Sequence, residues 1–328
     1  MIAITGANGL LGSYVLRKLV AQQVPVIAIC RANSDRKLVK DLTEFVTWRE
    51  ADITDPVSLV DALQGASTVI HTAALVSFNP RLRDKLLQIN TLGTRNVVNA
   101  CLELQIPTLI HISSVAAFGR KSGVARVDEN TRWVNSNLNT DYAESKRFGE
   151  IEIWRGAEEG LSVNIINPSV ILAPADWNKS SARLFHYVWK QNRFYTDTHI
   201  NYVDVRDVAE VIWKLIELKI TNQQFIVNAG STPVKELFDQ IARNFNRKAP
   251  SVKVSPQWAQ WLAWADELRS RITGSEPMIT RQSVRVSKEN FFFANDKVKR
   301  ELGISFRSAE ETIAWCCQQY LYAYNTNN

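Results

Sequence analysis

Cysteine is scarce in this chain: its 328 residues hold four, Cys30, Cys101, Cys316 and Cys317. Their spacing suits neither a zinc site nor a CxxC redox pair, so no metal is expected. The low count fits a reducing, cytoplasmic compartment. Cys30 ends an apolar run and Cys101 sits in a helical pattern, so both read as buried thiols. Long apolar runs are also missing. None approaches the ~18 residues of a membrane span, and no membrane partner is expected. No signal peptide is expected before Met1-Ile2-Ala3-Ile4, which already reads as a strand. The sequence has no internal repeat and no low-complexity tract. Nor has it a block of one-signed charge. Lys and Arg are scattered along the chain with acidic residues among them, and the densest basic stretch, Lys297-Val298-Lys299-Arg300, is followed at once by Glu301. Nucleic acid is therefore not an expected partner.

What is present is an ordinary globular composition, 45% hydrophobic and 22% charged, in a chain long enough to bury a core without staples. Strand and helix patterns alternate from the start. Strands are predicted over residues 2–5, 24–30, 45–48, 68–71, 108–112 and 163–166. Helices are predicted over 10–20, 56–63, 83–104 and 142–159. A loop of about 25 residues, 118–140, interrupts the alternation, and loops that long are usually functional. The pattern implies an α/β doubly wound (Rossmann) fold, a parallel sheet covered on both faces. After Pro168 it loosens. Residues 1–167 are expected to form a dinucleotide-binding domain, with 201–228 returning to it. Residues 168–200 and 229–328 are expected to form a smaller, mostly helical substrate-binding cap.

The first turn carries the chemistry. Thr5-Gly6-Ala7-Asn8-Gly9-Leu10-Leu11-Gly12 joins the first strand to the first helix. Glycines let the backbone approach a pyrophosphate, and the helix start offers it free N–H groups and a positive dipole end. Cofactor type is read after the second strand, where an acid would hold the 2′-hydroxyl of NAD and an Arg a 2′-phosphate. Here the strand ends Cys30-Arg31 with no acid. Arg31, aided by Ser34 and Arg36, favours NADP(H), with NAD(H) the alternative. Asp52 and Ile53, after the third strand, stand where the adenine edge would lie.

Tyr142 and Lys146, four apart on a predicted helix, share one face. An ammonium beside a phenol favours the phenolate, so the pair can exchange a proton with an alcohol oxygen. Ser113-Ser114 follows the fifth strand, and all converge on the carboxyl ends of the strands. With these residues the chain resembles the extended short-chain dehydrogenase/reductases, the epimerase/dehydratase and dihydroflavonol-reductase-like branch. The resemblance rests on the glycine turn, Asp52-Ile53, His71-Thr72-Ala73-Ala74, Asn90-Thr91-x-Gly93-Thr94, Ser113-Ser114 and Tyr142-x-x-x-Lys146. It continues through Asn167-Pro168-Ser169, Tyr202-Val203-Asp204-Val205-x-Asp207-Val208-Ala209 and Glu301-Leu302-Gly303. It implies that Tyr142 is the catalytic acid/base and that Lys146 lowers its pKa and holds the ribose. It implies that Ser114 binds the reacting oxygen; Ser114 is preferred to Ser113 because it lies five residues before Gly119. It places Asn90 near the lysine, Ala73 and Ala74 along the cofactor, and Pro168 and Ser169 at the nicotinamide. One departure is Ala173, where the family often has Gly.

The substrate is read as a small carbonyl or alcohol compound. Val76, Phe78, Trp177 and Phe185 are candidates to line its site, within an aromatic segment that suits an apolar or ring-bearing ligand. Trp258, Trp261 and Trp264 read instead as a buried helical face or a subunit contact. Three functions remain open: an NADPH-dependent reductase, a nucleotide-sugar epimerase or dehydratase with retained NAD, and a non-catalytic NADP sensor. The resemblance also implies a homodimer through the helices at 83–104 and 142–159.

Overall fold

The computed structural model describes residues 1–326 except 122, 124, 125, 178, 179, 274–276, 278, 279, 287, 288 and 290. Parts of the long loop at 118–140 and of the aromatic stretch at 176–198 thus lie outside the described residues.

Nearly continuous apolar runs need cover on both faces, and the early strands have it. The strands are β1 (Ile2–Thr5), β2 (Val26–Cys30), β3 (Thr47–Glu50), β4 (Thr68–His71), β5 (Thr108–Ile112), β6 (Arg126–Val127) and β7 (Ser162–Pro168). They continue as β8 (Val170–Leu172), β9 (Phe194–Thr196), β10 (His199–Asp204), β11 (Gln223–Val227), β12 (Gly230–Pro233), β13 (Val252–Val254) and β14 (Phe292–Phe293). Seven of them form one parallel sheet in the order β11-β7-β5-β4-β1-β2-β3. The chain winds outward from β1 to β3, then crosses back to β4 on the other side of β1. The crevice at the carboxyl ends of β1 and β4 is therefore the topological switch point, where open α/β sheets take ligands.

The helices are α1 (Leu10–Ala21), α2 (Pro56–Leu63), α3 (Arg83–Leu87), α4 (Gly93–Glu103), α5 (Asp141–Glu158) and α6 (Ala182–Trp189). They continue as α7 (Val205–Glu217), α8 (Val234–Phe245), α9 (Pro256–Thr273), α10 (Arg281–Val286), α11 (Asp296–Leu302) and α12 (Ala309–Thr326). On one face of the sheet, Val15, Leu16 and Leu19 of α1 pack with Val208, Ile212 and Leu215 of α7. On the other, α2, α4 and α5 bury Leu59, Val97, Val98 and Ile153.

Two boundaries differ from the sequence reading. Residues 201–204 do not join the main sheet: β10 pairs with β8 and β12, and only α7 and β11 return. Val298, Leu302 and Ile304, expected in the cap, lie in the core under α1 and α7. What remains as cap is α6, α8 and α12, whose core is Phe185, Leu237, Ile241, Phe245, Cys316 and Tyr320. All four cysteines are free and buried. Among the described residues no helix is long and apolar enough to cross a membrane, and no cluster of His, Cys, Asp or Glu could hold a metal.

Candidate active site

The glycine turn closes because Gly6 and Gly12 have no room for a side chain. Gly6 has φ +69°, and a Cβ there would lie 2.8 Å from the Cα of Ala73. A Cβ on Gly12 would collide with the carbonyl oxygen of Gly6. Gly9 donates its N–H to that same oxygen at 2.9 Å and occupies the N-cap of α1, which has no side-chain cap. The first N–H groups of α1 are thus left for a ligand. The hydroxyl of Thr5 is turned inward, 2.7 Å from Nδ1 of His71, while Nε2 of His71 meets Thr94 at 3.1 Å. Asn8 donates to the carbonyl of Asp35 and so ties the turn to the loop after β2. Leu10 and Leu11 pack into the core beneath it.

In that loop Arg31 is exposed and has no ion-pair partner among the described residues, and Ser34 closes a turn onto its carbonyl. Arg36 is engaged elsewhere, paired with Glu50 at 3.2 Å and lying over the Trp48 ring. Asp52 spends one carboxylate oxygen on the backbone and hydroxyl of Thr54. Ile53 is buried, its side chain filling the space above Gly93. Ala73 is half-buried beside Gly6, and Ala74 is exposed.

Beyond β5 the two serines diverge. Ser113 is buried and donates to Glu150 at 2.6 Å. Ser114 caps the short turn at 115–118, and its hydroxyl hydrogen-bonds Tyr142. Thr140 caps α5 by accepting from the N–H of Ala143, which sets Tyr142 in the first turn of that helix. Lys146, one turn on, is buried and donates to the carbonyl of Ile112 at 2.7 Å. Burial pushes its pKa down to about 8, against the pull of Glu150. Burial raises the pKa of Tyr142 above the ordinary phenol value, and the Ser114 hydrogen bond only partly opposes it. The Lys146 ammonium is bound to the Ile112 carbonyl, and burial outweighs what would lower the Tyr142 pKa.

Asn90 lies in a π-helical turn between α3 and α4. It accepts from the N–H of Leu75 and donates to the Leu75 carbonyl and the Ser145 hydroxyl. None of these bonds reaches Tyr142 or Lys146. Asn90 fixes the loop after β4 against α5, and Gly149 lets α5 approach it: a Cβ there would lie 2.7 Å from the Asn90 carbonyl.

Sequence reasoning missed Glu150 as part of this apparatus. It accepts from Ser113 and from Nδ2 of Asn167, each at 2.6 Å, and Asn167 also donates to the carbonyl of Ser114 at 2.8 Å. The available signal was its spacing, four residues after Lys146 on the same face. His111, with both ring nitrogens unpartnered among the described residues, lies against His71, and burial holds its pKa well below the ordinary value.

Of the substrate candidates, Phe78 is exposed and meets the Tyr142 ring edge-on at 5.9 Å, and Val76 is exposed close by in the same loop. Phe185 and Trp177 are corrections. Phe185 is 0% exposed inside the cap core, and Trp177 stacks on Tyr320 at 4.2 Å beside Trp189 and Phe245. These rings pack the cap together, and Phe185 is closed off from any cleft. Pro168 is buried, and Ser169 has a buried hydroxyl with no partner among the described residues. The side-chain-free cradle at the glycine turn, the uncapped α1 and this orphaned hydroxyl fit a dinucleotide lying across the switch point.

Residues 2–230 match the NAD dependent epimerase/dehydratase family. The chain belongs to that family. It is an NAD(P)-dependent enzyme of the extended short-chain dehydrogenase/reductase type. It is 27% identical over 318 residues to a Synechocystis protein named "Putative dihydroflavonol 4-reductase", covering 95% of this chain and 92% of that one. It is also 27% identical over 322 residues to sterol demethylase protein B of Methylococcus capsulatus, covering 95% and 97%. The crystal structure of gox2253 superposes with a TM-score of 0.83 at 30% identity, covering 98% of each chain. The Bordetella bronchiseptica enzyme WbmH, solved in complex with NAD+, shares the fold: TM-score 0.77, 19% identity, 98% of each chain.

Proposed function

We propose that this protein is an NADPH-dependent reductase of a small, apolar carbonyl compound, with Tyr142 as proton donor. The observation that carries this reading is the convergence of Ser114, Tyr142 and Lys146 at the carboxyl ends of the strands, with Arg31 exposed after β2. The cofactor would be held by Gly6, Gly9 and the start of α1 at its phosphates, by Arg31 and Ser34 at a 2′-phosphate, and by Ser169 near the nicotinamide. When bound, NADPH supplies the hydride.

The chain's own residues do the rest. Ser114 donates a hydrogen bond to the carbonyl oxygen as negative charge grows there. Tyr142 gives that oxygen its proton. Lys146, cationic below about pH 8, lies one turn along the same helix face and stabilises the phenolate that remains. Phe78 and Val76 offer apolar surface beside the reacting carbon. A homodimer is part of the same reading: Leu92, Phe148 and Ile151 are exposed at the α4/α5 face.

A screen of carbonyl compounds against NADPH oxidation tests the proposal. Tyr142→Phe should keep NADPH affinity and lower turnover by about 10²–10⁴-fold. Near-normal turnover in that variant would remove Tyr142 from the mechanism. Purified protein carrying tightly held NAD, with no NADPH-linked reduction, would replace the reductase by a retained-NAD epimerase or dehydratase.

A further inference from the structure

Helix α9 is amphipathic in the reverse of the usual sense. It buries small residues, Ala259 and Ala263, against Val284 of α10. It turns outward Trp258 (69% exposed), Trp261 (68%), Leu262, Leu268 and Ile272. These recur at the spacing of a single helix face. Trp264, 49% exposed, flanks that face and meets Trp261 edge-on at 6.0 Å. The acidic residues Asp266 and Glu267 lie off it by the same spacing and are paired with Arg269 and with Arg281 of α10. Charge adds an independent feature. Residues 243–286 hold eight Lys and Arg against three Asp and Glu; α9 itself is balanced, and the excess lies just before it, at Arg243, Arg247, Lys248 and Lys253, and on α10, at Arg281 and Arg285.

We propose that α9 is an interfacial helix that rests its tryptophan face on an anionic lipid bilayer without spanning it. Tryptophan favours the headgroup level, where its apolar body and N–H are both satisfied. Basic residues around such a helix are attracted to anionic lipid. A second copy of the chain fits less well. A two-fold contact through α9 would set this net-positive segment against itself. The position is also informative. Gln282 of α10 donates to Asp141 at 2.9 Å, next to Tyr142, and Arg285 donates to the carbonyl of Asn137 at 3.0 Å. A bilayer under α9 would thus lie beside the mouth of the site, where an apolar substrate partitions.

The proposal does not rest on the reductase reading. The test is co-sedimentation of the full chain with phosphatidylcholine vesicles, with and without about one-third phosphatidylglycerol. Binding should be roughly tenfold stronger to the anionic vesicles and should weaken with salt, with a blue shift of tryptophan emission on binding. Trp258→Ser with Trp261→Ser should lose about tenfold in binding with an unchanged circular dichroism spectrum and melting temperature. Tyr142→Phe should bind vesicles as the parent does, which separates failure of this inference from failure of the catalytic one. Equal binding to neutral and anionic vesicles, or an undiminished double variant, overturns the proposal. So does a dimer in sedimentation velocity that the double variant dissolves while vesicles stay unbound.

Discussion

Ser113 and Ser114 are adjacent and chemically identical, yet they face opposite ways. One is spent on Glu150 and the other reaches Tyr142. The alternation of side chains at the end of β5 decides which hydroxyl reaches Tyr142. The same scale governs pH dependence. Reduction needs Tyr142 protonated and Lys146 charged. Burial raises the first pKa and lowers the second to about 8, so the lysine titrates first as pH rises. The kcat/KM for carbonyl reduction should be level through neutral pH and fall above about pH 8; a falling limb already below pH 7 would contradict this assignment. Cofactor choice is a residue-scale matter too. Arg36 is held by Glu50, whereas Arg31, directly after β2, is exposed with no ion-pair partner among the described residues. Arg31→Asp should move the NADP/NAD preference toward NAD by at least about tenfold, as measured by the ratio of kcat/KM values. An unchanged ratio would remove Arg31 from the argument.

At the scale of elements, the site depends on how closely strands and helices approach. The Gly6 carbonyl occupies the space that a Cβ on Gly12 would need, so α1 can start only where its N-terminus meets the crevice. Gly12→Ala should weaken dinucleotide binding by at least about tenfold and lower the melting temperature, because the backbone of the turn must shift. Isothermal titration and thermal denaturation would show it. Much of this layer was legible in the sequence. β1, β4, β5 and α2 fall where periodicity and turn residues put them, because each is a local pattern with a clear stop. The short strands β8, β9 and β12 were not legible. They are three or four residues long and exist only by pairing with distant segments. The π turn at Asn90 also left no local sign, since it is fixed by Ser145 and the Leu75 backbone across the core.

For the whole molecule, the aromatic residues after Pro168 have two fates. Trp177, Phe185, Trp189 and Tyr320 make the cap a packed unit of its own. The three tryptophans of α9, expected on a buried face or a subunit contact, face outward in the single chain, which overturns the buried face. The proposed subunit contact lies elsewhere, at α4 and α5. Phe148→Glu with Ile151→Glu should convert a dimer to a monomer in sedimentation velocity. An unchanged sedimentation coefficient for a dimeric parent would place the interface on another surface. The sequence reading expected no membrane partner because no segment could span a bilayer. Spanning and resting on a surface have different requirements, and only the second needs a folded face.

Two things were determined by the sequence itself. Strand–helix alternation with a glycine turn at its head is local information, and it dictated a doubly wound dinucleotide fold. The Tyr142–Lys146 spacing put both groups on one helix face whatever packs around it. Tertiary structure decided what depends on distant neighbours. It turned Ser113 to Glu150, Ser114 to Tyr142 and the Lys146 ammonium to the Ile112 carbonyl. It also raised the Tyr142 pKa by burial, and sent Phe185 inward while leaving Trp258 and Trp261 outside. An apolar side chain carries no mark of which surface will cover it; that is settled only when the elements pack.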